Sequence, residues 1–308
     1  HIYKINFEQL LNKLIFIIKI FLNFAKYKFI HSKKNMAKIS IITISYNNLE
    51  GLKRTIPSVL SQTYNDYEYI VVDGGSNDGS KEYLESKSAQ ITRWVSEPDK
   101  GIYNAMNKGI AMATGEYCIF MNSGDHFLSA MVLEKAAPEL DGTDYCVGRT
   151  IVMDEQYASL RMPPKSPTLR FLSDNALQHQ STFIKTQLLK EHPYDESLKI
   201  VADWAHFVEN RYVRHHSYKS MDIVVAVFYL DGISFNQPKQ VRTEFNLVLK
   251  RLFPNGLPKE KETKEQKQEL LTAKVAYKLE RAMRKSGLKR DLKILRNSIR
   301  FVLKDLFM

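Results

Sequence analysis

Cysteine is scarce, uninterrupted apolar runs are short, and no segment repeats. The only two cysteines, Cys118 and Cys146, sit inside the strand-like runs Tyr117-Cys118-Ile119-Phe120 and Tyr145-Cys146-Val147. That is too few, and the wrong setting, for a disulfide framework or a zinc site. They read as reduced core residues, which suits a reducing compartment. No stretch reaches the roughly 18 to 20 clean apolar residues that cross a bilayer. The most apolar segment, Ile2 to Ile30, is broken by Lys13, Lys19, Asn23 and Lys26. Neither an RNA- nor a DNA-binding motif occurs, so nucleic acid is not an expected partner.

What is present first shows in the charge. The 308 residues carry a net +11, but residues 1–38 hold eight lysines against one acid, and residues 259–308 hold 15 basic residues against seven acids. Removing +7 and +8 from the total leaves −4 for the middle, so an acidic body lies between two basic ends. An acidic body opposes phosphate backbones, whereas basic ends suit an anionic surface. At about 100° per residue, Lys4, Glu8, Asn12, Lys19, Asn23 and Lys26 fall on one stripe opposite a broad apolar face, the pattern of an interfacial helix. Met36 stands directly before the first strand-like run, so residues 1–35 read either as an upstream extension or as part of the native product. The tail repeats the pattern, with Leu288, Leu292, Leu295, Ile299, Val302 and Leu306 at helical spacing among Lys and Arg. It reads as a solvated helix packing on the body, or as a peripheral anchor on the anionic cytoplasmic face of a membrane.

Between these ends, β-branched runs alternate with helical patterns. Strands are expected at Lys38–Ser45, Tyr67–Asp73, Ile91–Ser96 and Glu116–Asn122, and helices at Asn48–Gln62, Ser80–Ser86 and Gly101–Ala113. This βαβα order predicts an α/β class with a doubly wound, mixed but mostly parallel sheet flanked by helices. After Asp125 the rhythm loosens, with short strands at Tyr145–Val152 and Ser181–Ile184 and a helix near Trp204–Arg211. The expected organisation is therefore a basic extension over 1–38, a domain over 39–258 divided into a nucleotide-binding half (39–127) and an acceptor half (128–258), and a basic helical tail over 259–308.

Acids close three of the strands: Asp73 after Ile70-Val71-Val72, Glu97 and Asp99 after Trp94-Val95-Ser96, and Asp125 after Ile119 to Gly124. In an open parallel sheet these ends share one rim, where ligands bind. Carboxylates gathered there repel unless a cation offsets them. A divalent Mg²⁺ or Mn²⁺ held by one or two carboxylates and substrate phosphates does so, which points to a nucleotide diphosphate. Each acid also has a plain reading, as turn chemistry at Asp73 and at Asn77-Asp78-Gly79, or as helix caps at Asp99 and Asp125.

The runs Ile39-Ser40-Ile41-Ile42-Thr43-Ile44-Ser45-Tyr46-Asn47 and Val71-Val72-Asp73-Gly74-Gly75-Ser76-Asn77-Asp78-Gly79-Ser80 resemble the opening of family 2 glycosyltransferases with the GT-A fold. Glu97-Pro98-Asp99-Lys100-Gly101-Ile102-Tyr103-Asn104-Ala105-Met106-Asn107-Lys108-Gly109 is similar to a signature of one bacterial branch, and Met121-Asn122-Ser123-Gly124-Asp125 to its metal motif. The resemblance covers about Ile39 to Leu230. It implies a nucleotide-binding set of Thr43, Ser45, Tyr46, Asn47, Asp73, Gly74, Ser76, Asp99, Lys100, Gly101, Asn104, Lys108, Ser123 and Gly124. In it Asp73 binds the base, Asp99 sits by base or ribose, and Lys108 approaches the phosphates. It implies that Asp125 holds the divalent cation, alone where many relatives have two acids. The segment Ile200-Val201-Ala202-Asp203-Trp204 nominates Asp203 as catalytic base, and Gln178 to Phe183 places His179 and Gln180, with Trp204, toward the acceptor.

The implied reaction is inverting: an acceptor hydroxyl attacks the anomeric carbon of a nucleotide sugar, uridine favoured, opposite the leaving diphosphate. A positioned carboxylate that takes its proton contributes roughly 10²- to 10⁴-fold. The expected setting is cell-surface polysaccharide synthesis, with a saccharide acceptor that a lipid could carry. Two rivals compete. A sugar nucleotidyltransferase would show a Gly-rich, Arg-containing loop after the first strand, which Thr43 to Asn48 is not. An inactive nucleotide-sugar-binding protein at the membrane need not keep Asp73, Asp99, Asp125 and Asp203 together. A processive synthase would need several spanning helices and a Gln-X-X-Arg-Trp motif, and neither is present.

Overall fold

In the computed structural model the chain divides into two compact units, His1–Ala37 and Lys38–Met308. Residues 38–154, 157–230 and 236–285 are described. The expected amphipathic helix before residue 38, and the part of the tail beyond residue 285, lie outside the described residues. Among the described residues no helix is long and apolar enough to cross a membrane.

The centre of the fold is β1 (Ile39–Ser45), every residue of which is buried. Its continuous apolar run follows from its position: parallel neighbours lie on both edges, β2 (Tyr67–Asp73) and β4 (Tyr117–Phe120), and helices cover the sheet. Strand β3 (Arg93–Ser96) adds to β2, also in parallel. The rest of the sheet is β5 (His126–Phe127), β6 (Tyr145–Asp154), β7 (Tyr157–Arg161), β8 (Thr182–Lys185) and β9 (Tyr218–Tyr229). The order is β3-β2-β1-β4-β8-β6-β9-β5, with β7 on β6. The expectation of a mostly parallel sheet holds only for the first half. From β8 onward every pairing is antiparallel except β6 with β9. Strands β6 and β7 follow one another closely in the chain and pair antiparallel, as a short connection permits, while helices intervene between β5 and β6, β7 and β8, and β8 and β9.

The helices fall close to their expected places at Leu49–Leu60, Ser80–Lys87 and Ile102–Met112. Asn48 caps the first: its side-chain oxygen accepts from the Gly51 N–H at 3.0 Å. The helix Ala202–Val208 runs into a π turn over Glu209–Val213. A helix at Pro238–Leu252 was not legible as a separate element, and Pro at its first turn marks its start.

The expected tail is not a free extension. The helix Lys264–Lys285 and the residues before it are tied to the body: Leu169 N–H donates to Glu260 at 2.8 Å, Lys165 N–H to Glu269 at 3.0 Å, and Lys165 Nζ pairs with Glu265 at 2.9 Å. Over this stretch the packing reading is the one the structure supports.

Candidate active site

Strand register brings the carboxyl ends of β1, β2 and β3 level, with Ser45 opposite Asp73 and Asp73 opposite Ser96. Beyond that rim opens a cleft of about 860 Å³, large enough for a nucleotide sugar. It is lined by Ser45, Tyr46, Asp99, Gly101, Ser123, Gly124 and Asp125 together with His179, Gln180, Asp203 and Trp204. Eleven of the residues singled out from the sequence therefore share one cavity, although they come from five separate stretches of chain.

The others have different positions. Asp73 is fully buried beneath the cleft, where it accepts from the Ser76 N–H at 2.9 Å and the Ser96 hydroxyl at 2.7 Å. It organises the loop on which Asp99 rests. Gly74 shows how close that contact is, since a Cβ there would lie 2.5 Å from Asp99 Oδ2. Asn47 takes a left-handed backbone, φ 47°, and stitches two loops together: its N–H donates to Ser76 Oγ at 2.7 Å and its side chain accepts from Asn77 N–H at 3.0 Å. Thr43 faces the core, bonded to Tyr69 and the Met121 carbonyl. Asn104 accepts from the Lys100 N–H and donates to Glu196. Lys108 pairs with Glu97 at 2.7 Å and does not line the cleft. The turn residue Asp78 accepts from the Leu49 and Ser80 N–H groups, which is the plain reading of that motif.

A chain of hydrogen bonds crosses the acceptor side. Tyr103 OH donates to Asp203 Oδ1 at 2.9 Å, Asp203 Oδ2 meets His179 Nδ1 at 3.2 Å, and His179 Nε2 meets Asn122 Nδ2 at 3.1 Å. A carboxylate at Nδ1 fixes the neutral tautomer with its proton on that nitrogen. The side chains of His179 and Asp203 remain 24% and 19% exposed, so the pair is reachable from the cleft. Burial alone would raise the Asp203 pKa, but the His179 and Tyr103 donors hold it below the usual carboxylate range. Burial would lower that of His179, and the Asp203 carboxylate outweighs it, leaving the imidazole raised.

Asp125 Oδ2 accepts from Nε2 of Gln180, next to His179 in sequence, at 3.0 Å. Thr55 locks the loop that presents it, donating to the Asp125 carbonyl at 2.6 Å and accepting from Gly124 N–H at 3.0 Å. Three buried polar atoms of cleft residues have no hydrogen-bond partner: Ser45 Oγ, Asn122 Oδ1 and Gln180 Oε1. Buried polar atoms are costly when left unmet, and these three belong to residues that line the cleft. No group of three or more His, Cys, Asp or Glu side chains placed to hold a metal occurs among the described residues. A hard cation held there by the one carboxylate of Asp125 would draw its other ligands from phosphate oxygens.

Sequence reasoning missed Arg54, Asn48 and Asn122 as individual site residues, and took Tyr103 for a stacking or core ring. Arg54 lines the cleft, its guanidinium 4.2 Å from the Tyr229 ring centroid and bonded to the Gly124 carbonyl at 3.2 Å. Helical phase on Leu49–Leu60 could have pointed to it, because Gly51 and Thr55 face the same loop. Trp204 is a core ring with an edge on the cleft, stacked on Phe245 at 3.9 Å and 8°. Arg149 pairs with Asp222.

A parallel nucleotide half joined to an antiparallel half, with acids at the junction, is the GT-A glycosyltransferase fold. It is shared with S. aureus TarS 1-349 in complex with UDP-GlcNAc, at a TM-score of 0.57 and 19% identity over 76% of this chain and 70% of that one. The mannosyltransferase PcManGT from Pyrobaculum calidifontis, in complex with GDP-Man and Mn²⁺, also superposes, at 0.53 and 16% over 92% and 88%. Within that class, residues 40–189 match the family model described as Glycosyl transferase family 2. An uncharacterized glycosyltransferase of Mycobacterium tuberculosis is 37% identical over 175 residues, 54% of this chain and 65% of its own length. A PGL/p-HBAD biosynthesis glycosyltransferase of Mycobacterium bovis is 27% identical over 172 residues, 54% of this chain and 66% of its own. The chain thus spans just under two thirds of these relatives.

Proposed function

We propose that this protein is an inverting glycosyltransferase that moves one sugar from a nucleotide diphosphate sugar, with uridine as the favoured base, to an acceptor hydroxyl. The observation that carries the reading is a single cleft lined by both Asp125 and Asp203, with the Asp203 carboxylate held by Tyr103 and His179. Tyr46, 66% exposed at the mouth, offers a ring face for the base. Asp99 faces the ribose, and Asn47, Asp73, Gly74 and Ser76 shape the loop beneath it. Asp125 would hold Mn²⁺ or Mg²⁺, which supplies Lewis-acid stabilisation of the leaving diphosphate.

Asp203 takes the acceptor proton as the new bond forms. Its depressed pKa keeps it ionised at neutral pH, and two donors keep one oxygen edge directed. Envelope glycolipid or polysaccharide is the favoured product class, supported by a relative whose name assigns it to PGL/p-HBAD biosynthesis. The basic ends would rest on the anionic cytoplasmic leaflet and bring the cleft to a lipid-carried acceptor.

The test is a panel of UDP-, GDP- and dTDP-sugars with Mn²⁺, followed by release of the nucleoside diphosphate. Asp203→Asn should bind nucleotide as the wild type does and lose at least about 10²-fold in turnover. Normal turnover in that variant removes the base. Nucleotide binding by the wild type without turnover of any donor would make this a binding protein instead.

A further inference from the structure

The helix that carries Asp203 has no side-chain cap of its own; Val201 stands at the N-cap. The anion that a local Asp or Ser would normally provide comes from the helix Pro238–Leu252. Glu244 on that helix, 8% exposed, accepts from three consecutive backbone N–H groups: Lys199 at 3.1 Å, Ile200 at 3.0 Å and Val201 at 3.2 Å. Successive N–H groups converging on one anion form a backbone nest. The Gln240 side-chain amide donates to the same carboxylate at 3.0 Å and orients it.

The neighbouring residue tightens the arrangement. Phe245 stacks on Trp204, the residue after Asp203, and Trp204 Nε1 donates to the Leu172 carbonyl at 3.0 Å. The backbone before Asp203 and the ring after it are thus both held by residues 244 and 245. Val241 and Phe245 also line the cleft, so docking of one helix finishes the acceptor wall and aims the carboxylate together. Residues 199–204 and 240–245 lie beyond the segment that matches the family model.

We propose that Glu244 is a positioning residue for Asp203, acting on the rate of transfer and not on donor binding. The assignment rests on Asp203 as the base. It follows from the geometry because the Glu244 carboxylate accepts from the backbone of residues 199–201 and from Gln240, while a misplacement of about 1 Å at a reacting group can cost on the order of 10²-fold in rate. Replacing the carboxylate by an amide keeps the volume but points an NH₂ at backbone donors. The nest then loses an acceptor and the segment before Asp203 shifts.

Four enzymes decide it: wild type, Glu244→Gln, Asp203→Asn and the double variant. They are compared by diphosphate release from whichever nucleotide sugar the wild type turns over, by calorimetric titration with UDP and Mn²⁺, and by thermal unfolding. Glu244→Gln should lower kcat by about 10- to 100-fold with KM for the donor and UDP affinity unchanged. In the Asp203→Asn background the same change should cost nothing further, because residues acting as a unit are not additive. A wild-type kcat in Glu244→Gln overturns the proposal, as does an equal loss in both backgrounds, which is what a merely structural carboxylate would give. An Asp203→Asn enzyme as fast as the wild type removes the base itself, a different failure that leaves Glu244 nothing to position. Should Glu244→Gln fail to fold, Gln240→Ala decides. It loosens the carboxylate without stranding an amide, and should lower kcat a few-fold only where Asp203 is intact.

Discussion

At the scale of single residues, the site separates groups that touch the cleft from groups that hold them. Arg54 belongs to the first kind and is the one arginine lining the cavity. Its guanidinium lies over Tyr229 and against the Gly124 carbonyl, one residue from Asp125. That places a fixed positive charge where a diphosphate bound near Asp125 gathers negative charge. A charge-assisted contact of this sort contributes about 1.5 to 3 kcal/mol, so Arg54→Ala should weaken UDP binding roughly ten- to a hundredfold. Calorimetry at low and high salt checks this; an unchanged Kd would leave Arg54 as a partner of Tyr229 only. Asp73 illustrates the second kind. The family resemblance implies that it binds the base, and in the folded chain its oxygens accept from Ser76 and Ser96.

At the scale of elements, the least regular segments are held by acids borrowed from far along the chain. Glu244 does this for the Asp203 helix, and Glu260 for the short helix Leu169–Leu172. The latter helix matters because its last carbonyl, Leu172, receives Trp204 Nε1. Thr168 caps its start, accepting from Phe171 N–H at 3.1 Å, and Glu260 satisfies Leu169 N–H at 2.8 Å. Losing a cap of this kind costs about 1 kcal/mol. For a domain of this size that is a fall in Tm of roughly 2 to 4 °C. Glu260→Ala should show that shift by calorimetry with UDP affinity intact. A Tm equal to the wild type would mean that water replaces the carboxylate at no cost. The sequence marked this tail only as basic and helical, because the acids that anchor it are interleaved with lysines and show no pattern until their partners are in view.

At the scale of the molecule, several buried groups make stability depend on pH in the acid range. His206 is buried against Tyr145, and burial pushes its pKa down to about 3. The unfolded imidazole takes up a proton near pH 6.5, and the folded one does not until about pH 3. Stability is therefore lost as pH falls between these values, by up to about 1.4 kcal/mol per unit. Glu68 is also buried, which raises its pKa, but bonds from Ser40, Thr114 and Gly115 more than offset this and leave it lowered. Its contribution is present above the unfolded carboxylate pKa and lost as pH drops through the folded one. His179, raised beside Asp203, acts in the opposite sense and stabilises below its folded pKa while Asp203 stays ionised. The net expectation is a Tm that declines from pH 6 to pH 4, with a shallower slope in His206→Gln. Equal slopes in the two proteins would refute the role of His206.

The order of buried and amphipathic runs determined the parallel half by itself, because β1, β2 and β4 carry their burial in continuous apolar stretches. The same local rules pointed to the acids that follow β3 and β4, Asp99 and Asp125, whereas Asp203 was nominated by the family resemblance. Only the tertiary structure decided which polar groups face the cavity and which face each other. The pairing of His179 with Asp203, of Gln180 with Asp125 and of Glu244 with residues 199–201 joins stretches 24 to 55 residues apart in sequence. No periodicity encodes such contacts. They exist because packing Phe245 on Trp204 and pairing β4 with β8 bring those side chains within hydrogen-bond reach.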